Sequence, residues 1–457
     1  MIHITNGYVI DPKTEFEGYR DILIKDERVA VMAERGTPLT ELLQRAGVSG
    51  KGSMSGQKPD MQEWKERAEA AEHIDAAGQI IAPGLVDVHV HFRDPGFTYK
   101  EDIESGAAAA AKGGFTSVVL MANTKPPVDN AETLSYVLDK GRETGLHIHT
   151  CANVTVGMKG QEIVDMEALS QAGAAGFTDD GVPILDERVL REAFRRAAKL
   201  HKPVSLHEEE PARITNNGIH AGKAAAHYGI GGSPREAEIC MVERDIRLAL
   251  EEGADVSIQH ISTKEAVELV RQAKKKSAHI WAEATPHHFT LTEEAAIVHG
   301  TLAKMNPPLR EESDREAIIR GLKDGTIDMI ATDHAPHSEE EKAKPITEAP
   351  SGIIGLETAL SLGIRELVAP GHLTMMELLD KMSRAPASLY HLNAGHLAEN
   401  GPADLVIFDK DAVWRVEKDG FASKAVNSPF IGEEMPGVVT WTICGGKIKY
   451  HRERQGD

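Results

Sequence analysis

A rhythm of strand, loop and helix starts near Pro83 and constrains the fold more than any other feature of this 457-residue chain. Helical patterns alternate there with short apolar runs of the kind that form buried parallel strands. Eight such runs are predicted as strands: Leu85–Val90, Thr116–Met121, Ile148–Val154, Ala174–Thr178, Pro203–Leu206, Val256–Gln259, Ile280–Ala284 and Met329–Ala331. Eight strands, each followed by a helix, predict an α/β fold of the (β/α)8 TIM barrel type. An open doubly wound sheet is the alternative, and it is disfavoured because no GxGxxG motif follows the first strand.

The two ends of the chain show a different pattern. Residues 2–10 and 20–32 alternate apolar and polar side chains, which predicts a small antiparallel sheet, and strand patterns return after residue 395. We therefore predict a small β domain built from both chain ends, residues 1–82 and 396–457, beside a barrel of residues 83–395. Residues 36–70 form an excursion from the first part, rich in Gly, Ser and Lys over 48–60 and helical in pattern over 61–71.

Two histidines end the first predicted barrel strand. His89 and His91 are spaced i, i+2, so both imidazoles point to the same face of the strand, into the barrel mouth. A buried histidine with one hydrogen-bond partner would give the same pattern. The pair is therefore interpreted together with the ends of the other strands.

Four more His or Asp residues stand at the carboxyl ends of predicted strands, the face on which barrel enzymes carry out their chemistry. They are Asp180, His207, His260 and Asp333. Imidazole nitrogens and carboxylate oxygens suit Zn²⁺, and also Mn²⁺ or Co²⁺. Six such donors are too many for one tetrahedral catalytic ion with an open position. The pattern therefore predicts two ions that share a bridging carboxylate and a bridging hydroxide.

Further polar residues near the same mouth are candidates for substrate binding: Arg93, Asn123, Asn306 and His337. Arg93 offers bidentate donors to a carboxylate, and an ion pair with Asp94 or Glu101 is the alternative interpretation. Two divalent ions, two carboxylates and one hydroxide leave a formal charge of about +1. The pocket is therefore expected to take a small anionic substrate.

The remaining histidines and acidic residues are interpreted as structural. His147 and His149 start the third strand, at the opposite mouth of the barrel, and the run Glu208–Glu210 is expected to be a solvated loop. The three cysteines are isolated along the chain: Cys151, Cys240 and Cys444. With no CxxC motif, the sequence predicts neither a disulfide framework nor a thiolate zinc site.

Composition limits the partners. Lys and Arg number 51 against 71 Asp and Glu, a formal charge of −20, which makes nucleic acids and anionic membranes poor partners. Hydrophobic residues make up 41% of the chain, which excludes wholesale disorder. No apolar run approaches the roughly 18 residues that would span a bilayer, and no secretory signal is visible at the start. The cytoplasm is the expected location.

Several segments of the chain resemble the class I bacterial dihydroorotases of the amidohydrolase superfamily. They are PGLVDVHVHFRDPG, GGFTSVVLMANTKPP, AGFTDDG, VSLHEEE, QHISTKE, KMNPPLR, DGTIDMIATDHAPH and SGIIGLE. Together they span the barrel from about residue 82 to 360, and GPADLVIFDK in the tail resembles the superfamily's β appendage. MANT replaces the family's usual MPNT. The combination is far more specific than the HxH pair alone.

The resemblance implies a reaction and a role for each candidate residue. The reaction is the reversible cyclisation of N-carbamoyl-L-aspartate to (S)-dihydroorotate and water, a step of pyrimidine biosynthesis, through a metal-bridging hydroxide. Asp180 would bridge two zinc ions, in place of the carboxylated lysine of many relatives. The other implied zinc ligands are His89, His91 and Asp333 on one ion, and His207 and His260 on the second. The implied catalytic acid and base is Asp333. The implied substrate-binding residues are His91, Arg93, Asn123, Asn306, His337, Ser351 and Gly352.

Two alternative functions stay open at this stage. One is another cyclic amidohydrolase acting on hydantoin or allantoin, although such rings lack the carboxylate that Arg93 and Asn123 would bind. The other is a non-catalytic dihydroorotase-like subunit that scaffolds aspartate transcarbamoylase, although such a subunit would be expected to have lost ligands. A homo-oligomer, such as a dimer, is expected from base rates, and an active enzyme associated with the transcarbamoylase is a further option. Residues 338–350 are expected to form a mobile loop over the site, or an inert solvated one.

Overall fold

A computed structural model describes residues 1–48 and 70–452 of the chain. The predicted Gly-, Ser- and Lys-rich stretch 48–60 and the helical run 61–71 lie almost entirely outside the described residues. Among the described residues, no helix combines the length and the apolar character needed to cross a membrane.

The described residues form fifteen strands and fifteen α-helices. The strands are β1 Ile2–Asp11, β2 Phe16–Lys25, β3 Arg28–Glu34, β4 Glu72–Asp75, β5 Ile80–Pro83, β6 Leu85–Val90, β7 Phe115–Leu120, β8 His147–Thr150, β9 Val204–Leu206, β10 Val256–Ile258, β11 Ile280–Ala284, β12 Met329–Ile330, β13 Leu405–Arg415, β14 Glu434–Cys444 and β15 Lys447–His451. The helices are α1 Leu39–Val48, α2 Ile103–Lys112, α3 Ala131–Thr144, α4 Met166–Gln171, α5 Glu187–Leu200, α6 Lys223–Tyr228, α7 Arg235–Glu252, α8 Lys264–Lys274, α9 Pro286–Thr290, α10 Glu294–His299, α11 Glu312–Asp324, α12 Glu339–Lys342, α13 Ala359–Gly363, α14 Met375–Leu379 and α15 Ala385–Leu389.

Parallel pairing among β6 to β12 closes into a ring. β6, β7 and β8 pair in sequence, and so do β9, β10, β11 and β12. Phe177 bridges Ala152, just after β8, and Val204 in β9, while Val90 in β6 pairs with His334, just after β12. Seven strands and the Phe177 bridge thus give the eight positions of a closed parallel barrel. The predicted α/β class, with a sheet from both chain ends, is confirmed.

The fourth predicted barrel strand is much shorter than expected. We predicted a strand over Ala174–Thr178, but only Phe177 forms bridges to both neighbours. Its amide donates to the carbonyl of Pro203, and its carbonyl accepts from the amide of Ser205. One residue is therefore enough to join the two halves of the barrel.

Strands from both ends of the chain form one eight-stranded sheet beside the barrel. β1 pairs antiparallel with β2 but parallel with β4 and β5, and β5 continues through β13 and β14 to β15. The antiparallel pairing predicted for residues 2–10 and 20–32 is confirmed in β1, β2 and β3, and the parallel partners β4 and β5 of β1 are an addition that the sequence did not predict. β14 also contacts the barrel: the hydroxyl of Thr442 in this strand donates to the carbonyl of Ala111 in α2.

Candidate metal centre and substrate pocket

The six predicted metal-ligating side chains meet at the carboxyl ends of the barrel strands. His89 and His91 come from the end of β6, where a register shift between Asp87 and Val90 marks a β-bulge. Bulges re-aim side chains beside active sites. The other four come from the segment after Phe177 and from the ends of β9, β10 and β12: Asp180, His207, His260 and Asp333. All six residues are buried.

Asp180 lies at the centre of this group. One carboxylate oxygen, Oδ1, is 3.6 Å from Nε2 of His89 and 3.9 Å from Nδ1 of His207. The other, Oδ2, is 3.6 Å from Nε2 of His91. Two ligands of one tetrahedral Zn²⁺ stand roughly 3.3 Å apart. The distances of 3.6 to 3.9 Å between the Asp180 oxygens and the three histidine nitrogens are close to this value. Asp180 is therefore placed to share ions with histidines on both of its sides.

Asp333 and His260 complete the group on opposite sides of Asp180. Oδ1 of Asp333 is 3.0 Å from Nε2 of His91 and 3.6 Å from Nε2 of His89. On the other side, Nε2 of His260 is 3.0 Å from Nδ1 of His207. The six donors therefore form one continuous cluster, with the five ligands other than Asp180 divided between its two ends.

Unpaired ring nitrogens show that the cluster fits a divalent cation. Nε2 of His89 and Nδ1 of His260 are buried and have no hydrogen-bond partner within the described part of the chain. Donor atoms lie within 4.8 Å of one another in two sets, which are His89, His91 and Asp333, and His89, Asp180 and His260. Buried polar atoms are normally paired, so Nε2 of His89, which faces Oδ1 of Asp180 at 3.6 Å, points to ion coordination.

Burial and the charges of the cluster favour an ionised Asp180 and a neutral His260. Burial tends to raise the pKa of Asp180, but hydrogen bonding and charge from His89, followed by the charges of His91 and His207, bring it well below its usual range. Burial, together with the charge of His207, lowers the pKa of His260 well below the usual value. An ionised carboxylate and a neutral imidazole are therefore present at neutral pH.

Two buried carboxylates behind the cluster were missed from the sequence. Oε1 of Glu283 in β11 is 2.5 Å from Nδ1 of His89, so Nδ1 carries the proton and Nε2 is left free to face Asp180. Asp87 accepts from the amides of His89 and Thr332, and so ties β6 to the segment that carries Asp333. A charged residue inside an otherwise apolar central strand, IWAEA, was the available signal for Glu283.

The run Glu208–Glu210 is not a solvated loop, and that prediction is wrong for two of its residues. Glu208 and Glu209 are only 2% and 3% exposed. Oε2 of Glu209 is 3.3 Å from Nε2 of His207, and its Oε1 accepts from the hydroxyl of Ser233 at 2.7 Å. Glu209 therefore supports His207 much as Glu283 supports His89. Three consecutive acidic residues in a sequence do not reveal that one of them pairs with a histidine.

Arg93 is not paired with either of the acidic residues considered as its alternative partners. Its Nε donates to the carbonyl of Pro336 at 3.3 Å, and its Nη2 is 3.5 Å from Nε2 of His337. Asp94 instead accepts from the hydroxyl of Tyr136. The hydrogen-bond contacts of the guanidinium are thus with neutral groups, and the carboxylates of Asp333 and Asp180 act on its charge from a longer distance.

The two predicted asparagines contact residues of the candidate donor cluster. Oδ1 of Asn123 is 3.0 Å from Nδ1 of His91, and its Nδ2 donates to Oδ2 of Asp180 at 2.9 Å. Nδ2 of Asn306 is 3.2 Å from Nε2 of His207. Both side chains are therefore placed to orient candidate ligands, in addition to any contact with a substrate.

His337 joins Arg93 to the segment with Ser351 and Gly352. Nε2 of His337 is 2.8 Å from the carbonyl of Ser351, and burial, followed by the charge of Arg93, lowers its pKa. The amide of Gly352 already donates to the carbonyl of Lys304 at 2.8 Å. That amide therefore has a partner within the protein, which leaves it less suited to hold a substrate than the resemblance implies.

Three residues of the site have a strained backbone. The φ angles of Arg93, His260 and Asp333 are +59°, +32° and +49°. Such left-handed conformations cost about 1 to 3 kcal/mol each in residues other than glycine. They persist because the surrounding barrel fixes them, as is common at functional sites.

Comparison with known proteins places the chain in a family. A family model described as "Dihydro-orotase-like" matches residues 78–266. Dihydroorotase of Clostridioides difficile (strain 630) is 50% identical over 451 residues, 99% of this chain and 100% of the relative. Dihydroorotase of Clostridium acetobutylicum is 48% identical over 450 residues, 98% of this chain and 99% of the relative. The chain belongs to the dihydroorotase family. The resemblance inferred from its motifs is confirmed.

Solved structures show the fold shared beyond the dihydroorotase family. L-hydantoinase (dihydropyrimidinase) from Arthrobacter aurescens superposes with a TM-score of 0.81 at 24% identity, covering 99% of this chain and 96% of that chain. Dihydropyrimidinase from Brevibacillus agri superposes with a TM-score of 0.78 at 22% identity, covering 98% and 94%. At this identity the likeness concerns the fold alone. As a member of the dihydroorotase family the chain is an amidohydrolase-type enzyme acting on a small substrate, and its donor cluster implies a divalent metal.

Proposed function

We propose that the chain catalyses the reversible cyclisation of N-carbamoyl-L-aspartate to (S)-dihydroorotate and water. One observation carries this proposal: the complete set of six donors converges at one barrel mouth, in a chain about half identical to dihydroorotases over its whole length. A non-catalytic subunit has no use for that set. A hydantoinase is also not favoured, because its substrates lack the carboxylate that a free Arg93 would bind.

We propose two Zn²⁺ ions as the resident metals. His89, His91 and Asp333 would hold one ion, His207 and His260 the other, and Asp180 would bridge them; the contacts of Asp180 with three of the four histidines support this division. Bound ions would supply Lewis-acid chemistry, making a water acidic near neutral pH and polarising the amide carbonyl of the ring. Glu283, Glu209 and Asn123 would fix the orientation of the ligands around them.

Asp333 is the proposed acid and base. In the hydrolytic direction, its carboxylate accepts the proton of the attacking water and then donates it to the ring nitrogen that leaves. Its Oδ1 lies 3.0 Å from Nε2 of His91, so the carboxylate is held at the cluster edge. The left-handed backbone of Asp333 fixes the same position.

Arg93 is proposed to orient the substrate through its carboxylate. The guanidinium provides parallel N–H donors that match a carboxylate, and the neutral groups that hold it do not compete for that charge. Asn123, Asn306 and His337 would add further donors around the ring. Fixed orientation of this kind lowers the barrier by removing rotational freedom before the reaction.

The direct test is turnover by the purified, zinc-loaded protein. Dihydroorotate is supplied and the loss of its ultraviolet absorbance is followed, with hydantoin and allantoin in parallel reactions. We expect turnover of dihydroorotate alone, abolished by a chelator and restored by zinc. Turnover of hydantoin or allantoin in preference to dihydroorotate would overturn the proposal, as would a metal-loaded protein with no activity.

The assembly is proposed to be a homo-oligomer, with a dimer as the simplest closed form. Association with aspartate transcarbamoylase is proposed as a second level, because transfer of a carbamoyl group to aspartate makes the N-carbamoyl-L-aspartate of the proposed reaction. Light scattering of the protein alone, and then mixed with the transcarbamoylase, tests both levels. A monomer at all concentrations would contradict the first, and unchanged mass on mixing would contradict the second.

A further inference from the structure

A second group of metal-binding residue types lies at the opposite end of the barrel from the metal centre. It consists of His147, Asp404 and Cys444, here called the barrel-base triad. One donor atom of each residue lies within 4.8 Å of a donor atom of each of the others. Nε2 of His147 is 2.9 Å from Oδ2 of Asp404. The triad shares no residue with the proposed catalytic site.

The fold brings the triad together from β8, from the residue before β13 and from the end of β14. His147 is the first residue of β8 in the barrel, and Asp404 directly precedes β13 in the sheet. Antiparallel pairing of Leu405 with Ile443 places Asp404 opposite Cys444, the last residue of β14. Residues opposite each other in such a pair present their side chains on the same face. The triad therefore joins the barrel to the sheet built from both chain ends.

Two of the three donors are held rigidly and the third is open to solvent. Asp404 and Cys444 are 3% and 1% exposed, and Oδ1 of Asp404 accepts from the amide of Gly445 at 2.7 Å. That bond leaves Oδ2 directed at His147. The side chain of His147 is 44% exposed, so a water molecule can reach the side of the triad away from the protein.

We propose that the barrel-base triad binds a thiophilic divalent cation, with Zn²⁺ as the physiological candidate. Imidazole, carboxylate and thiolate are the three ligand types that zinc takes in proteins, and water at the open side completes a tetrahedron. The thiolate and the carboxylate together carry two negative charges, which neutralise the ion. Binding displaces the proton that Nε2 of His147 donates to Asp404 and the thiol proton of Cys444, whose sulfur otherwise lies 3.5 Å from the carbonyl of Thr116.

The ion at this position is structural and not catalytic. It connects β8 of the barrel with β13 and β14 of the sheet. These strands are distant from β8 in sequence, so the ion stabilises the contact between the barrel and the sheet. It also adds one ion per chain to whatever the metal centre binds. None of the six donors in the metal centre is a cysteine, so sulfur coordination distinguishes the two sites.

Cobalt substitution of the full-length protein tests the proposal without reference to activity. Metal is removed with a chelator, Co²⁺ is added stepwise in the presence of a phosphine reductant, and the near-ultraviolet thiolate-to-cobalt charge-transfer band is recorded. We expect a band with the intensity of one thiolate, and one more Co²⁺ per chain in the wild type than in Cys444→Ser. The visible bands of the nitrogen- and oxygen-ligated ions should be common to both proteins.

Three variants make the result specific. Cys444→Ser should abolish the band, and Cys240→Ser is the matched control, since Cys240 lies in α7 away from the triad and its loss should leave the band unchanged. If Cys444→Ser folds poorly, His147→Gln is the second variant, because it changes a half-exposed side chain and leaves the core intact.

His147→Gln also gives the expected size of the effect. Removal of an outer-shell partner already weakens metal binding by about 10- to 100-fold, so loss of this ligand should weaken it at least as much. No band at full cobalt loading, or a band that persists in His147→Gln at unchanged affinity, would overturn the proposal.

Discussion

Glu283 governs how His89 can act, although it contacts no substrate. Its carboxylate accepts a hydrogen bond from Nδ1, which leaves Nε2 as the proposed ligand atom. Glu283→Met removes the acceptor at nearly constant volume and should weaken metal binding by about 10- to 100-fold. Glu283→Gln keeps an oxygen acceptor and should lose less. Calorimetric zinc titration of the three proteins checks the order, and equal affinities would show that Glu283 has no such role.

The adjacent residues Asp179 and Asp180 offer a matched comparison. The carboxylate of Asp179 accepts from the amides of Val154 and Thr155, at 2.9 and 3.2 Å, and does not face the histidines. Asp180→Asn should therefore lose metal and activity. Asp179→Asn should keep its metal and lose about 1 to 3 kcal/mol of unfolding free energy instead. Metal analysis and urea unfolding of both variants decide the matter, and loss of metal in Asp179→Asn would reverse the assignment.

Asp333→Asn separates proton transfer from metal binding. The amide keeps an oxygen that can remain near the metal, but it cannot accept the proton of the attacking water. We expect kcat to fall by about 100- to 10,000-fold while the protein is kept saturated with zinc. Steady-state kinetics with metal content measured on the same samples provide the check. A loss of activity that only parallels the loss of metal would leave Asp333 as a ligand alone.

At the scale of elements, the segment 338–350 is held more firmly than its charged sequence indicates. It contains the short helix α12, and Nζ of Lys342 donates to the carbonyls of Pro350 and Gly352 at 2.9 and 3.0 Å. A second buried amine, Nζ of Lys304, donates to the carbonyls of Ile346 and Ala349. The mobility of this segment stays a prediction, but any opening must break these bonds.

Lys342 should also give the folded protein a distinctive pH dependence. Burial, followed by the charge of Lys304, lowers its pKa from 10.5 to about 7. Between these two values the unfolded chain binds a proton that the folded chain does not, so the unfolding free energy rises with pH across this window. Lys342→Met should remove that rise, on the order of a few kcal/mol.

The comparison requires unfolding free energies at the two ends of the window. Urea unfolding of wild type and Lys342→Met near neutral pH and near pH 10 supplies them. Lys344→Met is the matched control, because Lys344 is exposed two residues away on the same segment. Equal pH slopes in wild type and Lys342→Met would contradict the prediction.

Elements whose signals are local could be predicted from the sequence, and those that depend on distant partners could not. β6 begins and ends where predicted, and the helices α2 and α3 start at the local side-chain caps Asp102 and Asn130. The strand predicted over Ala174–Thr178 is represented in the structure only by the two bridges of Phe177. The length of a paired strand depends on the strands beside it, and the local sequence pattern contains no information about them.

The same distinction applies to the candidate site. The six proposed ligands stand at strand ends, so their convergence could be predicted from position alone. Glu283 lies 194 residues from His89 along the chain, and His147 lies 257 residues from Asp404. Isolated cysteines gave no reason to expect the barrel-base triad, because cysteine spacing reveals only sites whose ligands are close in sequence.

At the scale of the whole molecule, metal binding should stabilise the barrel as one unit. The donors come from five of its eight positions, so an ion bound only by the folded state joins strands that are remote in sequence. Zinc at about 1,000 times its dissociation constant should add about 4 kcal/mol to the unfolding free energy. We therefore expect the chelated protein to unfold at lower temperature than the zinc-loaded protein, in a single transition shared by both.

Two variants assign that stabilisation to its sites. Asp180→Asn should lose most of the zinc-dependent shift, since the metal centre then lacks its shared ligand. Cys444→Ser should lose only the part that comes from the barrel-base triad and keep the part that comes from the centre. Thermal unfolding at one heating rate, with and without chelator, measures both. If zinc shifts all three proteins equally, neither cluster is the source of the stabilisation, and the ion binds elsewhere on this acidic chain.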